Sequence, residues 1–122
     1  MHISDQTIKF GLHGLTLYGQ TYSYQVRPQD VGSDPYWNPE TEPPPLAIDV
    51  ALKIAQIGLK KYVRPEEAWH IRKIDLHQIE YGKWIYVFGF VTEHQIEQGQ
   101  RPQSFFIVVK MDGTVIEPIL DQ

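Results

Sequence analysis

The side chains best suited to metal or acid–base chemistry in this chain are five histidines, His2, His13, His70, His77 and His94. None of them forms an HxxxH or HxH pair, the spacings that would set two imidazoles on one face of a helix or strand. His70 and His77 lie seven residues apart on one predicted strand. An odd spacing sends them to opposite faces unless a bulge restores them to one. In either case their Cα atoms stand about 23 Å apart at about 3.3 Å per residue, too far to share an ion. They read as solvated strand histidines. The carboxylates are no more suggestive. Glu66 and Glu67 sit in a helix-to-strand turn, Glu93 and Glu97 in a polar loop, and Asp75 and Glu80 on a strand with Arg72 and Lys73. These are ordinary places for solvent-facing and cross-strand charge, not for two carboxyls converging on a substrate.

No nucleophile is set up either. Ser4, Ser23, Ser33 and Ser104 have no neighbour that would activate them, and the chain contains no GxSxG, P-loop or GxGxxG pattern. Cysteine is absent, which removes disulfides, thiolate metal sites and Cys nucleophiles together. These patterns predict no catalytic residue, no metal and no cofactor. Fifteen acidic residues against eleven basic ones give a net charge of −4. That balance argues against nucleic acid as the main partner, because phosphate backbones are held by clustered Lys and Arg. The one basic cluster, Lys60, Lys61 and Arg64, falls at the end of a predicted helix, where cations complement the dipole. No apolar run approaches the roughly 20 residues of a membrane span. The first residues lack the basic and apolar regions of a signal peptide. A cytoplasmic chain and an exported one whose leader is not included here both fit.

The elements that would position a site are easier to read. At 122 residues, 42% hydrophobic and 21% charged, the chain is expected to form one domain. Residues 1–44 are expected to be an N-terminal strand-and-loop arm. Thr21 to Val26 alternates and is rich in β-formers, Gly11, Gly14 and Gly19 mark bulges or turns, and prolines 28, 35, 39 and 43–45 forbid regular structure after it. Tyr36 and Trp37 predict that this loop packs against the domain, since large aromatics bury most of their area. One long helix is expected over residues 45–63. Asp49, Lys53, Gln56 and Lys60 make a narrow polar stripe, so the helix is expected to be buried on more than one side.

Three or four antiparallel strands follow between residues 69 and 118. Ile71, Ile74 and Leu76 break strict alternation and predict a bulge near Arg72 and Lys73. Lys83 to Thr92 is the most apolar run and is expected to be central. Asp112-Gly113 predicts a two-residue type I′ hairpin turn. Trp84, Tyr86, Phe88 and Phe90 alternate with Ile85, Val87 and Val91, and Phe105, Ile107 and Val109 alternate with Phe106 and Val108. Both faces of this sheet are therefore apolar and both need a cover. Two covers are available for the second face: the arm with Tyr22, Tyr24, Tyr36 and Trp37, or a second copy in a homodimer through the sheet.

An amphipathic helix over Ala47 to Leu59, the strand Trp84-Ile85-Tyr86-Val87 and the hairpin Val108 to Val115 together resemble the PepSY class of small α+β domains. The cystatin-like fold packs a helix on an antiparallel sheet in a similar way. The resemblance spans about residues 45–118 and rests on packing and turn signals. It implies a regulatory or binding role, such as restraint of a peptidase, and carries over no active site.

The expected fold is thus α+β, one long helix on an antiparallel meander with an N-terminal arm. The expected function is a non-catalytic binding or regulatory module, peptidase-regulating or an assembly subunit, with a protein partner that the sequence does not identify. The alternative is a small-ligand protein or enzyme with a pocket between helix and sheet. Candidate residues for a pocket or interface are Trp69, Trp84, Tyr86, Phe88, Tyr36 and Trp37.

Overall fold

The computed structural model describes residues 7–93 and 102–121. In chain order the elements are β1 (Phe10–Leu17), β2 (Gln20–Val26), α1 (Ile48–Leu59), β3 (Trp69–Glu80), β4 (Lys83–Thr92), β5 (Ser104–Lys110), β6 (Val115–Ile116) and β7 (Ile119–Leu120). A short 3₁₀ turn spans Pro28–Asp30. The strands form two antiparallel sheets, β3-β4-β5-β6 and β1-β2-β7. The polar stretch between β4 and β5, with His94 and Glu97, lies outside the described residues, as do His2 and Ser4.

The class is α+β as expected, with two corrections. The helix is twelve residues, not nineteen. Pro43, Pro44 and Pro45 disfavour a helical backbone at the residues before them, the chain bends at Pro45 and Leu46, and Ala47 is still extended at ψ 145°, with no side chain capping the first turn. At the other end Gly58 weakens the last turn. Lys61 and Tyr62 donate to Gly58 and Leu59 in tight three-residue steps, at 3.2 and 3.0 Å, and Pro65 ends the run. The helix is also less buried than its sequence suggested. Ala51, Ala55, Gly58 and Leu59 are buried, whereas Ile48, Val50 and Ile57 are exposed.

The second correction is the arm, which is half of a second sheet. Tyr18-Gly19 makes a two-residue turn with φ of +50° and +79°, the type I′ pattern, and joins β1 to β2. Gly14, at φ +69°, marks the irregularity between Leu12 and Leu15. The C-terminal strand β7 returns to pair with β2, tied by Asp121 N–H to Thr21 O at 2.8 Å and Ser23 Oγ to Asp121 Oδ1 at 3.2 Å.

The four-stranded sheet is therefore a middle layer. On one side α1 sets Ala51, Ala55 and Leu59 over Tyr86, Phe88, Phe90, Phe105, Ile107 and Val109. On the other side Tyr24 and Val26, with Phe10 and Leu12, cover Ile85, Val87 and Val108. The cover of the second face is thus the arm, chiefly through Tyr24. Its hydroxyl donates to Phe106 O at 2.6 Å, and burial pushes its phenol pKa far up. Tyr22 and Trp37 turn instead to the helix-side core. Beneath the arm, Ile85, Val87 and Val108 are 0–3% exposed.

The other hairpin also departs from expectation. Gly113 N–H bonds Lys110 O at 3.0 Å and Lys110 N–H bonds Thr114 O at 2.8 Å. Only Gly113 in this loop has positive φ, +91°. This is a three-residue loop, a tight turn followed by a left-handed glycine. Asp112 prefers it because its carboxylate accepts the Thr114 N–H and hydroxyl at 2.9 and 2.7 Å.

Two outcomes follow for stability. Tyr24→Phe should cost about 1–2 kcal/mol by stranding the Phe106 carbonyl, and Tyr24→Ala about 3–5 kcal/mol by uncovering the face; equal urea midpoints for the two variants would contradict this cover. Gly113→Val should cost about 1–3 kcal/mol from its left-handed backbone alone, and an unchanged midpoint would show the loop relaxing freely.

Candidate functional site

The helix stops short of one flank of the sheet. α1 sits over β5, β4 and β6, drawn close by its small residues: a Cβ on Gly58 would already stand 3.4 Å from Val115. After Leu59 the chain leaves the helix axis through residues 60–63, passes Pro65 and drops back into β3 at Trp69. The space so left is a cleft of about 670 Å³. Its apolar lining comes from Leu59 and Val63 above and Trp69 and Phe90 below, and its polar lining from Gln56, Lys60, Arg64 and Glu67.

One end of the cleft is braced by the hairpin tip. Tyr18 holds a left-handed backbone, φ +50°, that favours glycine or asparagine. Its hydroxyl donates to Glu67 Oε1 and accepts the Arg64 N–H at 2.9 Å. The Arg64 guanidinium lies 4.2 Å above the Tyr18 ring centroid, and Gln103 donates to Glu67 Oε2 at 3.3 Å. Burial and the Glu67 carboxylate both raise the Tyr18 pKa. Glu67 is thereby committed at both oxygens, while the cationic head groups of Lys60 and Arg64 remain on exposed residues at the rim. Trp69 adds a buried indole Nε1 that has no hydrogen-bond partner in the structure.

The residues singled out from sequence are not brought together. Trp69 alone lines the cleft. Tyr86 and Phe88 are closed core, stacked at 5.6 Å, with the Tyr86 hydroxyl donating to Leu46 O at 2.7 Å. Trp37 and Trp84 meet edge-on at 5.4 Å, and Trp37 Nε1 bonds Glu42 O at 2.9 Å, so the proline-rich loop packs as expected. Tyr36 is 49% exposed, beside Tyr81 at 5.8 Å and over Gly82, where a Cβ would collide with its ring. Sequence reading missed Gln56, Leu59, Val63 and Phe90 as lining, and took Lys60 and Arg64 only as helix-end cations. The signal available was that cluster lying just before Pro65 and Trp69.

His70 and His77 do not meet. The irregularity at Arg72 does set His70 and His77 on one face, opposite Val91 and Ile85. His70 meets Glu93 at 3.2 Å and His77 stacks on Phe10 at 4.7 Å. No group of three metal-ligating side chains occurs among the described residues. Nor is any helix among them long and apolar enough to cross a membrane.

One ion pair is deeply buried. Lys110 Nζ lies 3.2 Å from Asp34 Oδ1, the Asp34 side chain is 0% exposed, and neither carboxylate oxygen has a well-aligned hydrogen bond. The two partners shift in the same sense. Burial raises Asp34 more than Lys110 lowers it, whereas Asp34 and Asp112 outweigh burial at Lys110 and raise it too. The pair pins the 31–37 loop to β5 and lies outside the cleft. Lys110→Ala should cost about 3–5 kcal/mol by leaving a buried carboxylate uncompensated, and Lys110→Met with Asp34→Asn should cost much less. Equal chemical-denaturation losses for the two would remove the pair from this role.

No family model matches the chain, and no curated protein and no solved structure matches it significantly.

Proposed function

We propose that the chain is a non-catalytic binding module whose ligand, a small amphipathic anion, lies in the cleft at the C-terminal end of α1. The observation that carries this is the pairing of two cations and an amide, Lys60, Arg64 and Gln56, with an apolar floor of Leu59, Val63, Trp69 and Phe90. A basic rim of this kind is a local exception on a chain of net charge −4. The volume falls within the roughly 300–1,000 Å³ of small-molecule sites. An apolar tail on the floor removes that surface from water, and an anionic head meets the rim cations. The non-catalytic part is supported by Glu67: the carboxylate that lines the cleft is tied on both oxygens to Tyr18 and Gln103, which suits bracing better than proton transfer.

A second reading, an assembly subunit, is favoured by a different observation. β3 is a twelve-residue strand that pairs along one edge only among the described residues, with apolar side chains open on one face.

The cleft reading is tested with dodecanoate, followed by the three tryptophan indole N–H signals in a ¹H–¹⁵N spectrum. Binding should saturate at one equivalent and move the Trp69 signal while leaving Trp37 and Trp84. Lys60→Gln with Arg64→Gln should weaken it roughly tenfold, about 1.4 kcal/mol. Non-saturable binding, or a double variant that binds as the parent does, would remove the cleft as a ligand site.

A further inference from the structure

β3 is held on one side only. Its substantial contacts are with β4, and among the described residues no strand pairs with its outer edge. Register sets Ile71, Ile74 and Leu76 opposite Phe90, Phe88 and Tyr86, on the helix-facing side of the sheet. α1 makes its substantial contacts with β4 to β6, and these three remain 38%, 40% and 41% exposed. Lys73 and Asp75 lie opposite Gly89 and Val87, on the other side, and meet each other at 3.2 Å. A long edge carrying aliphatic side chains is a template for another strand.

We propose that this edge is completed by β3 of a second copy, running antiparallel across a two-fold axis at Ile74. The inference rests on the assembly reading and is independent of the cleft. Opposed residues in an antiparallel pair share a face, so a symmetric self-pairing must place one residue on the axis, opposite itself. The choice of axis is then decided by charge. An axis at Lys73 opposes two lysines, and one at Asp75 opposes two aspartates; both are repulsive. An axis at Leu76 sets Lys73 against Ile79 and Ile74 against Gln78, mismatching both faces. With Ile74 on the axis, Ile74 meets its own copy on the helix-facing side. Lys73 meets the partner's Asp75, and Asp75 the partner's Lys73, on the other. The ion pair that neutralises these two charges within each chain is exchanged, two for two, for the pairs across the axis. The exposed aliphatics of both copies then form one cluster over a continuous eight-stranded sheet. The regular stretch ends at the Arg72 irregularity, which keeps the pairing short and stops it from propagating into a fibre.

The test uses the full chain and native mass spectrometry with light scattering. Lys73→Asp places two acids at each side of the axis and Asp75→Lys two lysines. Each variant alone should dimerise at least roughly tenfold more weakly than the parent, and an equimolar mixture should form the heterodimer, since every acid then faces a lysine. Both positions are solvent-accessible, at 62% and 35% side-chain exposure, so both variants should fold. A cross-link gives a second readout. The chain has no cysteine, and residues opposed on the axis stand about 4.5–5.5 Å apart at Cα, within disulfide range. Mild oxidation should therefore link Ile74→Cys as a dimer and leave Leu76→Cys monomeric, because its copies lie about 13 Å apart along the strands. A mixture no better than its components, or Leu76→Cys linking as fast as Ile74→Cys, would overturn the register. A dimer indifferent to every one of these substitutions would overturn the β3 edge while leaving an assembly role standing. A parent chain monomeric at concentrations on the order of 1 mM would overturn both.

Discussion

The structure follows from one constraint: β4 and β5 are apolar on both faces, and a sheet of that kind must be covered twice. An antiparallel sheet in a small domain usually keeps one face wet. Here Tyr86, Phe88 and Phe90 point one way and Ile85 and Val87 the other, and all are nearly inaccessible. One short helix can cover only one side. The remaining side takes the chain's first strands, which pair with the two-residue β7 and are tied to it further by hydrogen bonds from Asp121 and Ser23. The two ends of the chain are thus brought into one sheet: the hairpin covers that face, and β7 pairs with β2 with Ile119 and Leu120 exposed.

Three layers need ties against sliding, and these ties account for the polar groups that look chemical in isolation. Tyr18 reaches from the hairpin turn to Arg64 and Glu67, Tyr24 to the Phe106 carbonyl, and Asp34 to Lys110. Each joins an element of the arm to the helix–sheet unit. The left-handed backbone of Tyr18 costs on the order of 1 kcal/mol, and the contacts its ring and hydroxyl make from that position offset it. Asparagine in the same turn would fit the backbone better but could not span to Glu67.

What was legible in the sequence was what neighbouring residues decide. β4 begins and ends where its apolar run does, β3 carries its irregularity at Arg72, and Trp37 packs the proline-rich loop, because alternation, bulges and aromatic burial are local signals. The need for a second cover was legible too, being a count of apolar faces. The pairing of β7 with β2 was not: it joins residues about a hundred positions apart through two-residue contacts that leave no periodic trace. The turn type at Asp112 was hidden because Asp-Gly suits both a two-residue and a three-residue loop, and the deciding term is the Asp112 carboxylate on Thr114. The cleft was hidden because it is a gap, and gaps depend on where the helix stops relative to the sheet.

That stopping point links the cleft to the open strand. A helix presenting leucines to the sheet would ride higher and shade a wider area. This one presents Ala51, Ala55 and Gly58, so it settles close over β5, β4 and β6 and leaves Ile71, Ile74 and Leu76 of β3 exposed. Close packing on one flank therefore creates exposure on the other: the cleft at the C-terminal end of α1 and the aliphatic row along β3 are both products of that offset. The helix-facing side of β3 stays apolar from Trp69 through Leu76, although Ile71, Ile74 and Leu76 remain exposed. The bulge and the charges at Lys73 and Asp75 fall where a guarded edge carries them, yet they sit on the opposite side of the strand from that row. The irregularity limits how far a partner strand can extend, and the two charges restrict its register, while the aliphatic row stays open to contact. That arrangement suits an edge meant to meet one partner in one register better than an edge meant to meet none.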